Sequence, residues 1–253
     1  LLEPGESLMA VRPVRTPHHS SSSAALIGGG VIPQPGEVSL AHHGVLFLDE
    51  LPEFHRNTLE MIRQPLEDRC VTIPRVHSTM KFPAAIMLVA AMNPCPCGYF
   101  GDPQRVCTCS PIMIERYMGR VSGPLIDRID IHVEVPPVPW KQLRGDHAGL
   151  SSEQMRQQVV AARNVQRQRF ADSTNGTTTN ATMTSRQVRQ FCKLDDAGEA
   201  LLKQAMTELG LSARAHDKVL RIARTIADIE GETDIQSHHL AEAVQYRRLD
   251  RKL

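Results

Sequence analysis

The segment Gly44–Glu50 constrains the fold more than any other part of the chain. Four apolar residues, Val45–Leu48, run directly into two adjacent carboxylates, Asp49 and Glu50. Short apolar runs of this kind are typical of strands buried in a parallel sheet. Acidic residues that follow such a strand lie at the edge where open α/β sheets bind ligands. The alternative is that Asp49 and Glu50 only begin a turn.

Other segments of the first half fit the same fold class. Further apolar runs of strand length occur at Val71–Ile73, Ile86–Ala90 and Ile129–Val135, and the stretch Glu53–Asp68 has apolar residues at helical spacing. Buried apolar strands that alternate with helices predict an α/β fold with a largely parallel sheet. Asn93 follows the Ile86–Ala90 strand closely, so it can act at the same sheet edge or simply complete a turn before Pro94.

The second half has a different character. Residues 1–140 carry 11 basic and 14 acidic side chains, whereas residues 141–253 carry 18 basic and 14 acidic ones. We predict an α/β part over 1–140, then a polar helix and an exposed Thr/Asn-rich linker within 141–183, and a four-helix unit over 184–253. Helix start and stop signals support the last unit, at Thr184 or Ser185, Asp195 or Asp196, Ser212 and Ser237, with stops at Gly210 and Gly231.

Composition excludes several classes of protein. The formal net charge of +1 gives no global argument for binding a polyanion. The longest apolar run, Ala84–Met92, is about half of what a membrane span needs. The first residues lack the features of a signal peptide. We therefore expect a cytoplasmic protein without a membrane anchor.

Several motifs together resemble one family, the magnesium-chelatase-like AAA+ ATPases of the ComM/YifB type. The resemblance runs over nearly all of 10–250. Its motifs are Arg15-Thr16-Pro17-His18-His19-Ser20, Gly28-Gly29-Gly30, Pro35-Gly36-Glu37-Val38-Ser39-Leu40-Ala41-His42-His43-Gly44, Asp49-Glu50, Asn93-Pro94-Cys95-Pro96-Cys97-Gly98, Ser122-Gly123-Pro124-Leu125-Ile126-Asp127-Arg128-Ile129-Asp130, Leu211-Ser212-Ala213-Arg214 and Ile222-Ala223-Arg224-Thr225-Ile226-Ala227-Asp228.

The resemblance implies a partial P-loop NTPase core followed by an all-α lid domain. It implies ATP and Mg²⁺ as cofactors, with Asp49 on the metal through water and Glu50 as the base that activates water. Asn93 is then the sensor 1 residue, Arg128 the arginine finger that acts across a hexameric ring, and Arg214 the sensor 2 residue on the nucleotide. The activity implied is that of a DNA helicase or branch-migration factor in recombination and natural transformation.

One motif of such ATPases is missing from these residues. A phosphate-binding loop needs Gly-Lys followed by Ser or Thr, and none of the six lysines follows a glycine. We therefore expect a fragment that begins after this loop and that binds ATP weakly or not at all by itself. For Arg128, the alternative is an ion pair with Asp127 or Asp130.

Cysteines and basic residues add two further candidate sites. Four of the six cysteines, Cys95, Cys97, Cys107 and Cys109, lie within 15 residues and can form a zinc site; free or oxidised thiols are the alternative. Val71–Pro83 predicts a hairpin. Such hairpins line the pore in the ring ATPases that this chain resembles, so the resemblance implies that Arg75 and Lys81 contact DNA phosphates. The alternative is a solvated surface hairpin. The pairs His18, His19 and His42, His43 are expected to be structural rather than metal-binding.

Three functions follow from these residues. The first is a DNA-acting motor, and the second is a chelatase-type motor subunit whose partner is a protein. The third is a non-catalytic interaction module stabilised by zinc. Salt-dependent binding to DNA distinguishes the first from the second.

Overall fold

The computed structural model describes residues 11–74, 79–138, 149–173 and 176–247. The chain divides into two compact units, one that ends at Ile129 and one that begins at Asp130. The strands of the first unit are β1 (Val14–Arg15), β2 (Gly28–Gly29), β3 (Gln34–Pro35), β4 (Val45–Leu48), β5 (Cys70–Pro74), β6 (Thr79–Pro83) and β7 (Met87–Ala90). Its helices are α1 (Ser23–Ile27), α2 (Glu37–Leu40), α3 (Arg56–Asp68), α4 (Pro111–Met118) and α5 (Gly123–Ile126).

A parallel sheet of three strands, in the order β1-β4-β7, forms the centre of the first unit. Val14 lies opposite Val45, and Leu48 lies opposite Ala90. The predicted α/β class and parallel sheet are confirmed. The other described strands form two-stranded antiparallel ribbons, β2 with β3 and β5 with β6.

The hydrophobic core lies on one face of this sheet. The side chains of Leu46 and Leu48 are fully buried, and they pack in a cluster with residues of the helices such as Leu59. On β7, by contrast, Met87 is 58% exposed and Val89 is 39% exposed. The predicted burial of the apolar strands is therefore incomplete for β7, because the described residues cover only one side of the pleat.

Gly44 allows β1 and β4 to approach each other. A Cβ atom at this position would lie 2.0 Å from the carbonyl oxygen of Pro13. That same oxygen accepts the backbone N–H of Val45 at 2.8 Å and so begins the strand pairing. Any larger residue would have to push the two strands apart.

The hairpin and helix predictions are confirmed with shifted bounds, and one strand prediction is wrong. β5 and β6 pair in antiparallel register, and residues 75–78 between them lie outside the described residues. The helix begins at Arg56 rather than Glu53, because Leu51–Glu53 forms a separate 3₁₀ turn. The stretch 129–135 has no regular secondary structure, because an apolar run becomes a strand only where a partner strand accepts it, and no described strand does.

The second unit is entirely helical in its described residues, as predicted. Its helices are α6 (Ser152–Arg169), α7 (Ser185–Phe191), α8 (Asp196–Leu209), α9 (Ala213–Glu230) and α10 (Ser237–Gln245), with a 3₁₀ turn at Asn180–Thr182. The side chains of Thr184, Asp195 and Ser212 cap α7, α8 and α9. α8 and α9 both end at a left-handed glycine. No described helix has the length and apolar character to cross a membrane.

The Thr/Asn-rich stretch before α7 is exposed only in part, because Thr177, Asn180 and Met183 are buried among its described residues. Asn180 is 1% exposed, and its side-chain amide donates to Asp228 at 2.7 Å while its oxygen accepts from Arg169 at 2.8 Å. A buried carboxylate such as that of Asp228 needs hydrogen-bond donors, and Asn180 provides one. Polar composition predicted exposure here, but the long-range partner Asp228 decides burial.

Candidate functional site

The carboxyl ends of the three parallel strands bring the candidate catalytic residues to one edge of the sheet. Asp49 and Glu50 follow β4 directly, and Asn93 follows β7. Backbone hydrogen bonds join the two segments beyond the strands, from Ala91 to the Leu48 carbonyl and from Leu51 to the Ala91 carbonyl, both at 2.9 Å. Asp49, Glu50 and Asn93 are all exposed, so their polar groups are accessible to a ligand.

The backbone of Glu50 has an uncommon conformation. Its φ of 52° and ψ of 46° place it in the left-handed region, which is unfavourable for a residue with a Cβ atom. The backbone N–H of Glu50 donates to Oδ1 of Asp49 at 2.8 Å, and its carbonyl accepts from Glu53 at 2.7 Å. These bonds stabilise a sharp bend directly after the strand. Strained backbone conformations of this kind are enriched at active sites and ligand-binding sites.

His19 also reaches this edge, and the sequence interpretation did not assign it to the site. Its Nδ1 atom lies 2.9 Å from Oε2 of Glu50. The parallel pairing of β1 with β4 is the cause, because it carries the residues after β1 to the same edge as those after β4. The position of His19 four residues after a strand was the only sequence signal for this contact.

The donor set at this edge fits Mg²⁺ and a nucleotide. Mg²⁺ prefers carboxylate oxygens and water, and it is usually held by one or two carboxylates together with the phosphates of the substrate. Asp49 offers an exposed carboxylate of which only Oδ1 is used by the backbone of Glu50. Asn93 adds an amide, which can both donate and accept hydrogen bonds.

The two candidate arginines have different surroundings. Arg128 donates to Glu67 at 2.8 Å and to the carbonyl of Pro124 at 2.7 Å, and its side chain is only 14% exposed. The sequence interpretation offered Asp127 or Asp130 as its ion-pair partner, but Arg128 pairs with Glu67 on α3. Arg214 belongs to the second unit and is exposed at the second residue of α9.

The four clustered cysteines converge on one point. Their sulfur atoms all lie within 4.8 Å of one another. The separations are 3.4 Å between Cys95 and Cys97, 3.7 Å between Cys95 and Cys107, and 3.6 Å between Cys97 and Cys107. In a tetrahedral site with Zn–S bonds of about 2.3 Å, neighbouring sulfur atoms are about 3.8 Å apart. The thiols are thus close to the spacing that one tetrahedral metal ion requires.

Hydrogen bonds and neighbouring thiols make the cysteines chemically unequal. Backbone N–H groups of Tyr99 and Thr108 lower the pKa of Cys97 to about 6. A backbone hydrogen bond from Cys109 favours the thiolate of Cys107, but burial and the neighbouring thiols outweigh it and raise the pKa of Cys107 to about 12. Without a metal, one thiolate therefore opposes the ionisation of another. A divalent cation at the centre would remove this opposition.

The cysteine cluster is attached to the candidate catalytic edge. Cys95 is fully buried and lies two residues after Asn93. The oxygen of Tyr117 on α4 is hydrogen-bonded by the backbone of Asn93, and Tyr117 is 5% exposed. Cys109 directly precedes Ser110, which caps α4. The cluster and α4 therefore hold the segment that carries Asn93.

A second group of potential metal ligands lies in the helical unit. Nε2 of His238 and Nε2 of His239 each lie 3.0 Å from Oε2 of Glu230. However, Nδ1 of His239 accepts the backbone N–H of Gln236 at 2.9 Å, so neutral His239 must carry its proton on Nε2. A protonated Nε2 donates to Glu230 and cannot bind a metal. The group is therefore a hydrogen-bonded junction between α9 and α10.

The remaining candidate residues are Lys81, Arg75 and the paired histidines. Lys81 is exposed on β6 opposite Thr72, and Arg75 lies outside the described residues. The paired histidines do not point to opposite faces as adjacent strand residues would, because they lie outside the strands: the ring centroids are 4.1 Å apart for His18 and His19. Neither that pair nor the pair at 42 and 43 belongs to a described group of three potential metal ligands.

Comparison with known proteins agrees with this architecture over both units. A family model described as magnesium chelatase, subunit ChlI, matches residues 2–143, and one described as magnesium chelatase, subunit ChlI C-terminal, matches residues 149–247. Competence protein ComM of Haemophilus influenzae is 47% identical over 245 residues, which are 96% of this chain and 46% of ComM. The uncharacterised protein YifB of Escherichia coli is 46% identical over 244 residues, again 96% of this chain and 46% of YifB.

An uncharacterised protein of Mycobacterium tuberculosis is 39% identical over 249 residues, which are 98% of this chain and 48% of that protein. The chain thus spans about half the length of these relatives. Both of its units have a counterpart in one family, and the parallel sheet followed by a helical unit is the AAA+ type of fold. The chain therefore belongs to the magnesium chelatase ChlI family, and ComM and YifB are among its relatives.

Proposed function

We propose that this chain is part of an ATP-hydrolysing AAA+ motor that uses Mg²⁺ and whose catalytic edge is formed by Asp49, Glu50 and Asn93. The observation that supports it best is the shared sheet edge, where adjacent parallel strands end in two carboxylates and an amide. ATP would supply the phosphoryl group, and Mg²⁺ bound with it would offset part of the negative charge of the phosphates. Asp49 holds the metal through water, Glu50 accepts a proton from the attacking water, and Asn93 orients that water or the terminal phosphate.

The arginines complete the proposed mechanism. Arg128 acts on the nucleotide of a neighbouring subunit in a hexameric ring, and Arg214 contacts the nucleotide from the helical unit. A guanidinium suits these roles because it is permanently charged and offers several donors to phosphate oxygens. Arg128 is expected to release Glu67 on the way to a neighbouring nucleotide, since its side chain is only 14% exposed while it is paired. Ring assembly is therefore expected to compete with the Glu67 ion pair.

Substitution of Glu50 tests the proposal in the longest natural form of the protein. Glu50→Gln should keep nucleotide binding and lower the hydrolysis rate by about 100-fold or more, because glutamine cannot take up the proton. Glu115→Gln, at an exposed position on α4, is the matched control and should leave the rate unchanged. Hydrolysis that survives in Glu50→Gln would show that Glu50 is not the base.

Mixed rings test the role of Arg128 across the interface. Arg128→Ala should lose hydrolysis while it keeps its fold, and a mixture with Glu50→Gln should recover part of the rate. Recovery is expected because some interfaces then combine an intact Glu50 with an intact Arg128. A mixture that remains inactive contradicts action in trans.

The 253-residue chain alone should bind ATP more weakly than micromolar in calorimetry, since it contains no Gly-Lys-Ser/Thr loop.

DNA is the proposed substrate of the motor, and the cytoplasm its place of action, in branch migration or unwinding during recombination and natural transformation. The support is that the relative ComM is named a competence protein and that Lys81 is exposed on the β5–β6 hairpin. Lys81→Glu should weaken DNA binding, whereas Lys203→Glu, on α8, should not. Binding that is insensitive to salt between about 50 and 200 mM would instead favour a chelatase-type motor with a protein partner.

The cysteine cluster is proposed to bind one structural zinc ion through Cys95, Cys97, Cys107 and Cys109. Four sulfur atoms within 4.8 Å of one another support it. Metal analysis of the purified chain should find about one zinc per chain, and Cys107→Ser should lower it, whereas Cys70→Ser, outside the cluster, should not. Less than about 0.2 zinc per chain in the unmodified protein would exclude the site.

A further inference from the structure

We infer that His19 is a positioning residue that holds the carboxylate of Glu50 for catalysis, an inference that rests on the proposed role of Glu50 as the base. The direct observation is the 2.9 Å separation between Nδ1 of His19 and Oε2 of Glu50. A carboxylate oxygen accepts and an imidazole N–H donates, so the contact is a hydrogen bond from His19. The sequence motif that contains His19 has no other role in the proposed mechanism.

The protein fixes the His19 ring from several sides. The parallel pairing of β1 with β4 places the chain after β1 beside Glu50. The ring lies edge-on to Phe54, with 6.4 Å between ring centroids, and Phe54 is itself 3% exposed. The His18 ring also packs against it, with 4.1 Å between ring centroids. The imidazole is 32% exposed and therefore reaches the solvent-accessible edge while it remains packed.

The contact has a defined chemical consequence. It engages Oε2 of Glu50 and leaves Oε1 available for the attacking water. The backbone of Glu50 is already set by its left-handed φ of 52° and by the hydrogen bond to Asp49. His19 adds a constraint on the side chain, so that Glu50 is held both at its backbone and at its carboxylate. Small misplacement of a catalytic group lowers rates strongly, up to about 100-fold for a shift of about 1 Å.

Three substitutions of His19 test the inference in the longest natural form of the protein. His19→Ala should lower kcat for ATP hydrolysis by about tenfold or more, with KM for ATP changed by less than about twofold, because the loss affects the base and not the nucleotide. His19→Asn should restore most of kcat, since its amide nitrogen lies where Nδ1 was. His19→Gln, whose nitrogen lies where Nε2 was, should not.

The matched control is His55→Ala. His55 is an exposed histidine of the same unit, and its side chain makes no capping hydrogen bond to α3. Its kcat should remain within about twofold of the parent value. Circular dichroism confirms that each variant is folded. Equal kcat loss in the alanine, asparagine and glutamine variants of His19 would indicate a packing role and would overturn the inference.

A second measurement needs no ATP and uses the 253-residue chain. Imidazole ¹⁵N spectra should show His19 protonated on Nδ1, and Glu50→Ala should shift its resonances while those of His55 stay in place. A His19 protonated only on Nε2, or unaffected by Glu50→Ala, would overturn the inference.

If Glu50→Gln abolishes hydrolysis but His19→Ala does not lower it, the inference fails while the proposed function stands. If Glu50→Gln still hydrolyses ATP, the proposed function fails, and the spectra decide the contact alone.

Discussion

Removal of the Asp228 carboxylate should be among the most destabilising single changes in the helical unit. This carboxylate is fully buried. It accepts hydrogen bonds from both terminal nitrogens of Arg169 at 2.7 and 2.5 Å, from Asn180 at 2.7 Å and from Arg224 at 3.0 Å. Asp228→Ala would leave two guanidinium groups without their counter-charge, and their side chains are only 13% and 3% exposed.

The expected loss follows from two opposing quantities. Hydrogen bonds to charged groups contribute about 1.5–3 kcal/mol each, so four of them sum to more than about 6 kcal/mol. Burial of the carboxylate and the two arginines costs several kcal/mol per ion, which offsets much of that sum. Breaking such a buried arrangement by removing one partner costs about 3–5 kcal/mol in measured cases. We expect about 4 kcal/mol for Asp228→Ala, because Arg224 keeps its bonds to the carbonyls of Thr233 and Glu232.

Urea unfolding of the 253-residue chain, followed by far-UV circular dichroism, measures the loss. Asp196→Ala is the control, since Asp196 is an exposed acidic residue in the first turn of α8 and should contribute no more than about 1 kcal/mol. Asp228→Asn keeps the shape of the side chain without its charge, so it should fall between the two and gives a value even if the alanine variant does not fold. A loss of less than about 1 kcal/mol for Asp228→Ala would refute the reasoning, because the arginines would then have found other partners or solvent.

Three further outcomes are expected. Gly44→Ala should cost about 2–3 kcal/mol in urea unfolding, because its Cβ would lie 2.0 Å from the Pro13 carbonyl, whereas Gly123→Ala, with open space around it, should be near neutral. Glu50→Gly should be about 1 kcal/mol more stable than Glu50→Ala, since φ is 52° there; equal stability would contradict the assigned strain. Hydrogen bonds from His238 and His239 lower the pKa of Glu230, so its stabilising contribution is present above the ordinary value of 4.5 and lost as pH falls below it. Glu230→Gln should reduce this acid-side loss in thermal unfolding, and an unchanged pH dependence would exclude the junction as its source.

Much of the local structure could be predicted because its causes are local. The β4 strand has the predicted bounds Val45–Leu48, since an apolar run between a glycine and two carboxylates has few other conformations. Helices α7, α8 and α9 begin where Thr184, Asp195 and Ser212 can accept a hydrogen bond from a backbone N–H three residues later. Such caps involve neighbours in the chain, and sequence is sufficient to find them.

The failures share a physical cause, which is dependence on a distant partner. The stretch 129–135 has the composition of a strand, but no described strand accepts its hydrogen bonds. Asn180 has the composition of a loop residue, but Asp228 requires its amide in the interior. Arg128 pairs with Glu67 on another helix rather than with an acidic neighbour in sequence. None of these partners is indicated by the residues around the position itself.

The sequence alone determined which chemical groups the protein carries and in which local elements they stand: the carboxylates after β4, the amide after β7, the four clustered thiols and the capped helices. The tertiary structure decided which of these groups meet. Parallel pairing of β1, β4 and β7 brought His19 to Glu50, and folding of the loop before α4 brought four sulfur atoms within 4.8 Å of one another. Local elements depend on torsional preferences and nearby hydrogen bonds, whereas a site depends on the register of strands that are far apart in the chain.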